Sequence, residues 1–307
     1  MIELTALRSL QAVEEHGSVI AAAQALGFTP SAVSQQIKRL ERQSGVDLLE
    51  RVGRGVVLTG PGRILVEQGA RIAVELERLE TDLHAYAGEV VGDLTLVGFS
   101  TAMRGLIGPV TADLMAAHPR LRIRLRELEP WDAVDEVASG RADVALVHRW
   151  GDVVLEIPEH LERRTVHHDE AELIVRTDHR LASRERVTPA DLADEPWIAT
   201  PEHTICRQWL SRMYAGTGRL PRIEHVSMEF ASHLTLVSAG LGVALVPRLG
   251  RGLLPPDLVA VRVHDPVPVR ESIALWRRSQ GRSPAVLALV AALDAAGAAA
   301  SQSPWST

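Results

Sequence analysis

The sequence predicts an α+β multidomain fold: three short helices and a two-stranded wing, then a long linker helix, then a two-lobed α/β domain. Three observations carry this expectation. Apolar residues recur at helical spacing up to Gly45, residues 61–87 hold one unbroken helical pattern, and strands alternate with helices from residue 90 onward. A chain of 307 residues is too long for one small core, so two or three domains are expected. With 46% apolar but only 4% aromatic residues, Ala, Val and Leu must fill most of the interior.

Leu4 to Glu15 reads as the first helix, with Leu7, Leu10 and Val13 near helical spacing. Gly17 ends it, and Ser18 is a good N-cap for the second helix, "VIAAAQAL", whose small side chains let a neighbour approach closely. Gly27 supplies a turn, Thr29 caps the third helix and Pro30 takes its first position. Along that helix Val33, Ile37 and Leu40 should face the core. Ser31, Ser34, Gln35, Lys38 and Arg42 share another face, which holds no acid because Glu41 lies to its side. Hydroxyls and amides can hydrogen-bond base edges, and Lys and Arg can reach phosphates.

Alone, such a helix is more often a solvated amphipathic one. Its context points elsewhere. A short helix, a Gly-containing turn and a capped, polar-faced helix form a helix-turn-helix pattern. After it, "VGRG" reads as the tip of a hairpin wing that carries Arg51 and Arg54 beside a phosphate backbone or minor groove. The chain has a net charge of −6, yet Phe28 to Arg63 holds six basic and three acidic residues, a local +3. A phosphate-contacting surface needs such an imbalance.

This region resembles the LysR-type transcriptional regulators. The residues that carry the resemblance are Ser18, Ala22, Ala23 and Leu26, then Ser34, Ile37, Leu40 and Glu41, then Leu48, Leu49, Arg51, Arg54, Leu58, Thr59 and Gly62. The resemblance implies a winged helix-turn-helix over residues 1–60. It also implies that Pro30, Ser31, Ser34 and Gln35 approach bases of double-stranded DNA, with Arg51 and Arg54 on its backbone. Leu7 and Leu49 depart from the family's usual phenylalanines, and Ile20 and Ala21 from its polar or basic residues.

Residues 61–88 read as the linker. Leu65, Gly69, Ile72, Leu76, Leu79, Leu83 and Tyr86 alternate in steps of four and three, an a/d seam. A helix packed on its own domain is the alternative. The narrow apolar stripe, flanked by Glu75, Glu77, Arg78 and Asp82, favours a dimer contact through Leu65, Ile72, Leu76, Leu79 and Leu83. The resemblance likewise implies a dimerising linker helix, and hence a homodimer or homotetramer.

Strand-like runs "DLTLVGF", "LRIRLREL", "DVALVH", "AELIVR", "PWIAT" and "VALVP" alternate with helical segments, which argues for parallel sheets with crossover helices. The runs "HHDEAELIVRTDHRLA…DLADEPWI" and "AGLGVALVP" also resemble the LysR-type effector domain, which is similar to type 2 periplasmic binding proteins. Arg180 stands where that family usually has proline. The resemblance implies an effector domain over 89–303, with lobe I near 90–163 and 267–300 and lobe II near 164–266.

In doubly wound sheets ligands sit beyond the carboxyl ends of strands. The residues expected there are Ser100 and Thr101, Trp131, His148, Thr200 and His203, and Met228 with Glu229. Ser100 could equally be a plain helix cap, His148 a structural histidine and Trp131 core. The effector should be small. Helix N-termini and hydroxyls favour an anion such as a carboxylate, whereas Glu229 disfavours one beside it. Carboxylates, aromatics and amino-acid-like compounds all stay open.

No phosphate loop, zinc motif or nucleophile elbow is present, so neither a cofactor nor a metal is expected. Cys206 and His203 could pair as nucleophile and base, but a single cysteine at a helix start is more often a buried small residue. The lone cysteine suits a reducing cytoplasm. The N-terminus lacks the pattern of an export signal, and no run nears the roughly 18 apolar residues of a membrane span. The expectation is therefore a cytoplasmic, non-enzymatic regulator that binds DNA and a small-molecule effector and works on RNA polymerase. The alternative is a receptor or an enzyme on the two-lobed fold without a DNA role.

Overall fold

A computed structural model of the chain describes residues 2–52 and 55–302. Arg54 and the side chain of Tyr86 lie outside the described residues. The chain forms two compact units, Met1–Thr81 and Asp82–Thr307.

The first unit holds helices α1 (Leu4–His16), α2 (Val19–Leu26) and α3 (Pro30–Ser44) and strands β1 (Leu49–Val52) and β2 (Gly55–Leu58), with α4 (Gly60–Ala87) running out of it. The caps form as their residue types dictate. Ser18 Oγ accepts from the Ala21 amide at 3.1 Å, and Thr29 Oγ1 from the Ala32 amide at 3.2 Å. Between them Gly27 takes φ 68°, a left-handed turn that costs glycine little. Leu7, Leu10, Val13, Ala22, Ala23, Val33, Ile37, Leu40, Leu48 and Leu58 close the core. β1 and β2 pair antiparallel, Leu49 opposite Leu58. A Cβ on Gly62 would lie 2.3 Å from the Leu48 carbonyl oxygen, so the start of α4 can pass the backbone just ahead of β1 only with glycine there.

The linker seam divides. Leu65 is half-buried against the unit's own core, and Gly69 packs beside Leu7. Leu65 is thus taken up by its own domain, a correction to its expected place in a dimer seam. The turn of α4 nearest the wing must cover the helices before it can serve a partner. Beyond that turn Ile72, Leu76, Leu79 and Leu83 stand 37–63% exposed on one stripe.

The second unit is built on a sheet of order β4-β3-β5-β12-β6-β11-β7, with β10 also paired to β6. Its strands are β3 (Gly92–Gly98), β4 (Leu121–Glu127), β5 (Val144–Trp150), β6 (Leu161–Arg176), β7 (Arg186–Val187), β10 (Ala244–Pro247), β11 (Leu258–Val263) and β12 (Val269–Arg277). Strands β8 (Pro196–Ala199) and β9 (Arg222–Val226) form a parallel pair beside it. Helix α5 (Ser100–Ala102) continues through a π turn (Met103–Ile107) into α6 (Gly108–Ala117). Helices α7 (Pro130–Ala138), α8 (Ile205–Met213), α9 (Phe230–Ser238) and α10 (Pro284–Gln302) complete the unit.

Two expectations change here. The sheet is mixed rather than parallel, because β12, β10 and β11 all run antiparallel to β6. The expected lobe boundary at 163/164 falls inside β6, one strand of 16 residues. Its neighbour changes from β12 to β10 and β11 at Glu170/Ala171. A single strand therefore crosses between the lobes. Its polar first half, "LERRTVHHDE", hides this because Arg163, Arg164, Thr165, His168 and Glu170 are all exposed. A shared core spans both lobes, with Trp150 of β5 stacked on Trp209 of α8 at 5.2 Å between centroids.

Candidate functional site

Helix α3 separates its faces cleanly. Val33, Ile37 and Leu40 are buried, whereas Pro30, Ser31, Gln35, Lys38 and Arg42 are exposed and Ser34 is half-buried. Its one acid is engaged elsewhere: Glu41 Oε1 accepts from the Leu48 amide at 3.0 Å. Arg39 is held by Glu3 at 2.8 Å. No ion pair engages Lys38 or exposed Arg51 among the described residues, and Arg42 Nε only meets the Lys38 carbonyl oxygen at 3.4 Å. An open groove of about 730 Å³ runs beside α3, lined by Gln35, Lys38, Arg42 and Pro61 and also by the acids Glu41 and Asp47. The surface thus offers amide, hydroxyl and uncompensated cations together, the chemistry of a duplex contact.

The second unit has a cleft between its lobes. It is lined by Phe99, Ser100, Thr101, Glu129, His148, Thr200, Thr204, Cys206, Met228, Glu229, Phe230 and Arg270. Its cavity measures only about 20 Å³, room for roughly one water. Of the expected residues, Ser100, Thr101, His148, Thr200 and Glu229 come together here. Trp131 and His203 do not, and both expectations are corrected. Trp131 lies one position into α7 and packs on the shared core, whereas His203 is exposed ahead of the α8 cap. In each case the neighbouring cap, Glu129 or Thr204, faces the cleft instead.

Polar contacts organise the walls. Ser100 Oγ donates to Glu229 Oε2 at 3.1 Å, and Arg104 Nη1 reaches the same oxygen at 3.3 Å. Thr200 and Thr204 share a hydroxyl hydrogen bond of 2.6 Å, while Thr204 also caps α8. Behind them lies Arg270, which the sequence reading missed. Its guanidinium donates to Asp169 at 2.5 Å, with both side chains 1% exposed, and it stacks over Phe99 at 5.0 Å. A charge inside the strand "VRESIALWR" was the available signal. Burial, reinforced by the nearby Arg270 cation, holds the His148 imidazole well below its usual pKa, so it is neutral. His148 Nδ1 and Thr101 Oγ1 are buried without a hydrogen-bond partner among the described residues.

Burial pushes the Cys206 thiol up to about 12. With His203 exposed, the cleft offers no activated nucleophile from that pair. No group of His, Cys, Asp and Glu among the described residues could hold a metal, and none of their helices is long and apolar enough to cross a membrane.

Comparison with known proteins agrees on both units. Residues 4–63 match the bacterial regulatory helix-turn-helix protein, lysR family, and residues 87–298 match the LysR substrate binding domain. The chain is 32% identical to the HTH-type transcriptional regulator ShiR of Corynebacterium glutamicum, over 92% of this chain and 95% of that protein. It is 31% identical to the small neutral protease regulatory protein of Streptomyces coelicolor, over 91% and 83% of the two chains. Among solved structures, full-length OxyR from Pseudomonas aeruginosa shares the fold with a TM-score of 0.72 at 18% identity, covering 95% of each chain. Full-length CbnR complexed with its target DNA gives 0.54 at 22% identity, covering 96% and 99%. Both domain matches and the near-full-length similarity to ShiR place one chemistry in each unit, a DNA-reading head and an effector-binding domain: the chain belongs to the LysR family of DNA-binding transcriptional regulators.

Proposed function

We propose that α3 lies in the major groove, with Pro30, Ser31, Ser34 and Gln35 toward base edges and Lys38, Arg42 and Arg51 on phosphates. Arg54 joins them by its place in the sequence. The observation that carries this reading is the polarity of α3: buried Val, Ile and Leu on one side, exposed hydroxyl, amide and unpaired cationic groups on the other. The CbnR–DNA complex among the structural neighbours supports it. Dimers form through the exposed stripe Ile72, Leu76, Leu79 and Leu83 and set two heads roughly 34–36 Å apart, or a multiple of that, on one DNA face.

The interlobe cleft takes the small-molecule effector on Ser100, Thr101, His148, Thr200 and Glu229. Opening or closing around it changes the spacing of the reading heads and the bend they impose on DNA. Output follows through RNA polymerase in the cytoplasm, and the chain performs no catalysis. The test is a gel shift on the DNA upstream of its own gene, run in rising salt. A regulator of this kind keeps its preference at a salt where random DNA of equal length has dissociated. Equal loss of both DNAs would overturn the reading.

A further inference from the structure

Four helices begin at the cleft, and the residues capping them, Phe99, Glu129, Thr204 and Glu229, all line it. Convergent helix N-termini ordinarily receive an anion. Here the chain has put two carboxylates of its own at that position. Neither Glu129 nor Glu229 spends its side chain on capping its helix. Glu129 is crowded further: burial, then the charges of Glu127, Asp132 and Glu229, raise its carboxyl above the usual range.

Most of the positive charge in the cleft is already committed. Arg270, the one cation among the lining residues, is paired to Asp169. Arg104, at the rim, is tied to Glu229 and to the Gly250 carbonyl oxygen at 3.1 Å. An effector that brings only negative charge would therefore meet two carboxylates, with the buried Arg270 Nε as the one cationic donor still without a partner among the described residues. A second, independent feature points to a ligand. Thr101 and His148 are only 2% exposed and line the cavity, and Thr101 Oγ1 and His148 Nδ1 have no hydrogen-bond partner among the described residues. Buried polar atoms rarely stay unsatisfied unless something else supplies the hydrogen bond.

We propose that the effector is an amine-bearing small molecule: its ammonium lies between Glu129 and Glu229, and a carboxylate or carbonyl oxygen of the same molecule accepts from Thr101 and His148. This rests on the cleft being the effector site and narrows the expected anion to a zwitterion or amino-carbonyl compound. Neutral His148 can donate from one ring nitrogen, and the Thr101 hydroxyl can rotate toward the ligand. The ammonium donates charge-assisted hydrogen bonds to Glu129 and to the Glu229 carboxylate, which it shares with Arg104 and Ser100.

The test uses the full chain and a matched panel: the standard L-amino acids, their des-amino acids and their decarboxylated amines, at equal concentration. Thermal shift ranks them and calorimetry gives Kd for the best. The binders should all carry the amine, and Glu129→Gln or Glu229→Gln should each weaken the best of them by about tenfold or more. Thr101→Val should weaken the amino acid but spare the matching decarboxylated amine. Des-amino acids binding as well as amino acids would overturn the proposal, as would silence across the whole panel. A des-amino binder that Ser100→Trp abolishes would leave the cleft as effector site while removing the amine. A binder untouched by Ser100→Trp, with the melt of that variant showing a folded chain, would instead overturn the cleft reading itself.

Discussion

Replacing Asp169 by Asn should destabilise the second unit more than any other single charge removal in it. Asp169 and Arg270 are each 1% exposed, and the Arg270 guanidinium is fixed over Phe99 and Trp150, so it cannot swing to water. The amide keeps the carboxylate's shape and can still accept from the Leu249 amide, a bond of 3.1 Å in the wild type. It cannot balance the guanidinium charge. Removing one partner of a buried pair costs about 3–5 kcal/mol. For a unit of this size each kcal/mol moves the melting midpoint by about 2–4 °C, so the midpoint should drop by about 6–20 °C. The assay is a circular-dichroism melt of the full chain, following the transition of the second unit separately from that of the first. The double variant Asp169→Leu with Arg270→Met removes both charges and should recover most of the loss, because an apolar replacement of a buried pair is often neutral. A drop below about 3 °C for Asp169→Asn would refute the reasoning, as would a double variant no better than the single.

Three further outcomes are expected. Leu79→Lys combined with Leu83→Lys puts charges on the exposed stripe of α4 and should shift the mass measured by light scattering toward monomer, while each unit's melt stays cooperative. Cys206, with its thiol pushed up to about 12, should be ionised to only about one part in 10⁴ at pH 8. Iodoacetamide should accordingly label the folded chain about 10³-fold more slowly than the chain in guanidinium chloride. Glu129 has a raised carboxyl in the fold, so its contribution to stability is fully present below the ordinary glutamate range and is lost as pH rises through the raised value. Glu129→Gln should thus melt above the wild type near neutral pH, and the gap should close as the buffer is taken below about pH 4.

Local chemistry made the first unit legible. Ser18, Thr29 and Pro30 announce helix starts through interactions within four residues, and Val33, Ile37 and Leu40 mark the inner face by spacing alone. Leu65 departs from the seam because an a/d stripe does not say which partner covers it, and the unit's own core lies against that turn. In the second unit the strand ends could be read but not the residue that turns inward. Trp131 and His203 each miss by one or two positions, since the helix cap rather than the first turn or the preceding loop faces the cleft. The charge of Arg270 within its strand is visible in the sequence, but its pairing with Asp169 is not, because the contact joins β12 to β6 across about a hundred positions. The run through β6 was similarly hidden: its partners change at Glu170/Ala171 while the strand itself continues.

The most direct measurement is a fluorescence-anisotropy titration, in a salt series, of wild type, Lys38→Ala and Gln35→Ala against the DNA upstream of the chain's own gene and a scrambled duplex. If α3 lies in the major groove, Lys38→Ala weakens both duplexes by the same factor and lowers the slope of log K against log salt by about one. Gln35→Ala, in contrast, reduces the preference for the upstream duplex by about 1–3 kcal/mol, roughly 5–150-fold, and leaves the scrambled one unaffected. Wild-type affinity, slope and preference in both variants would contradict the account.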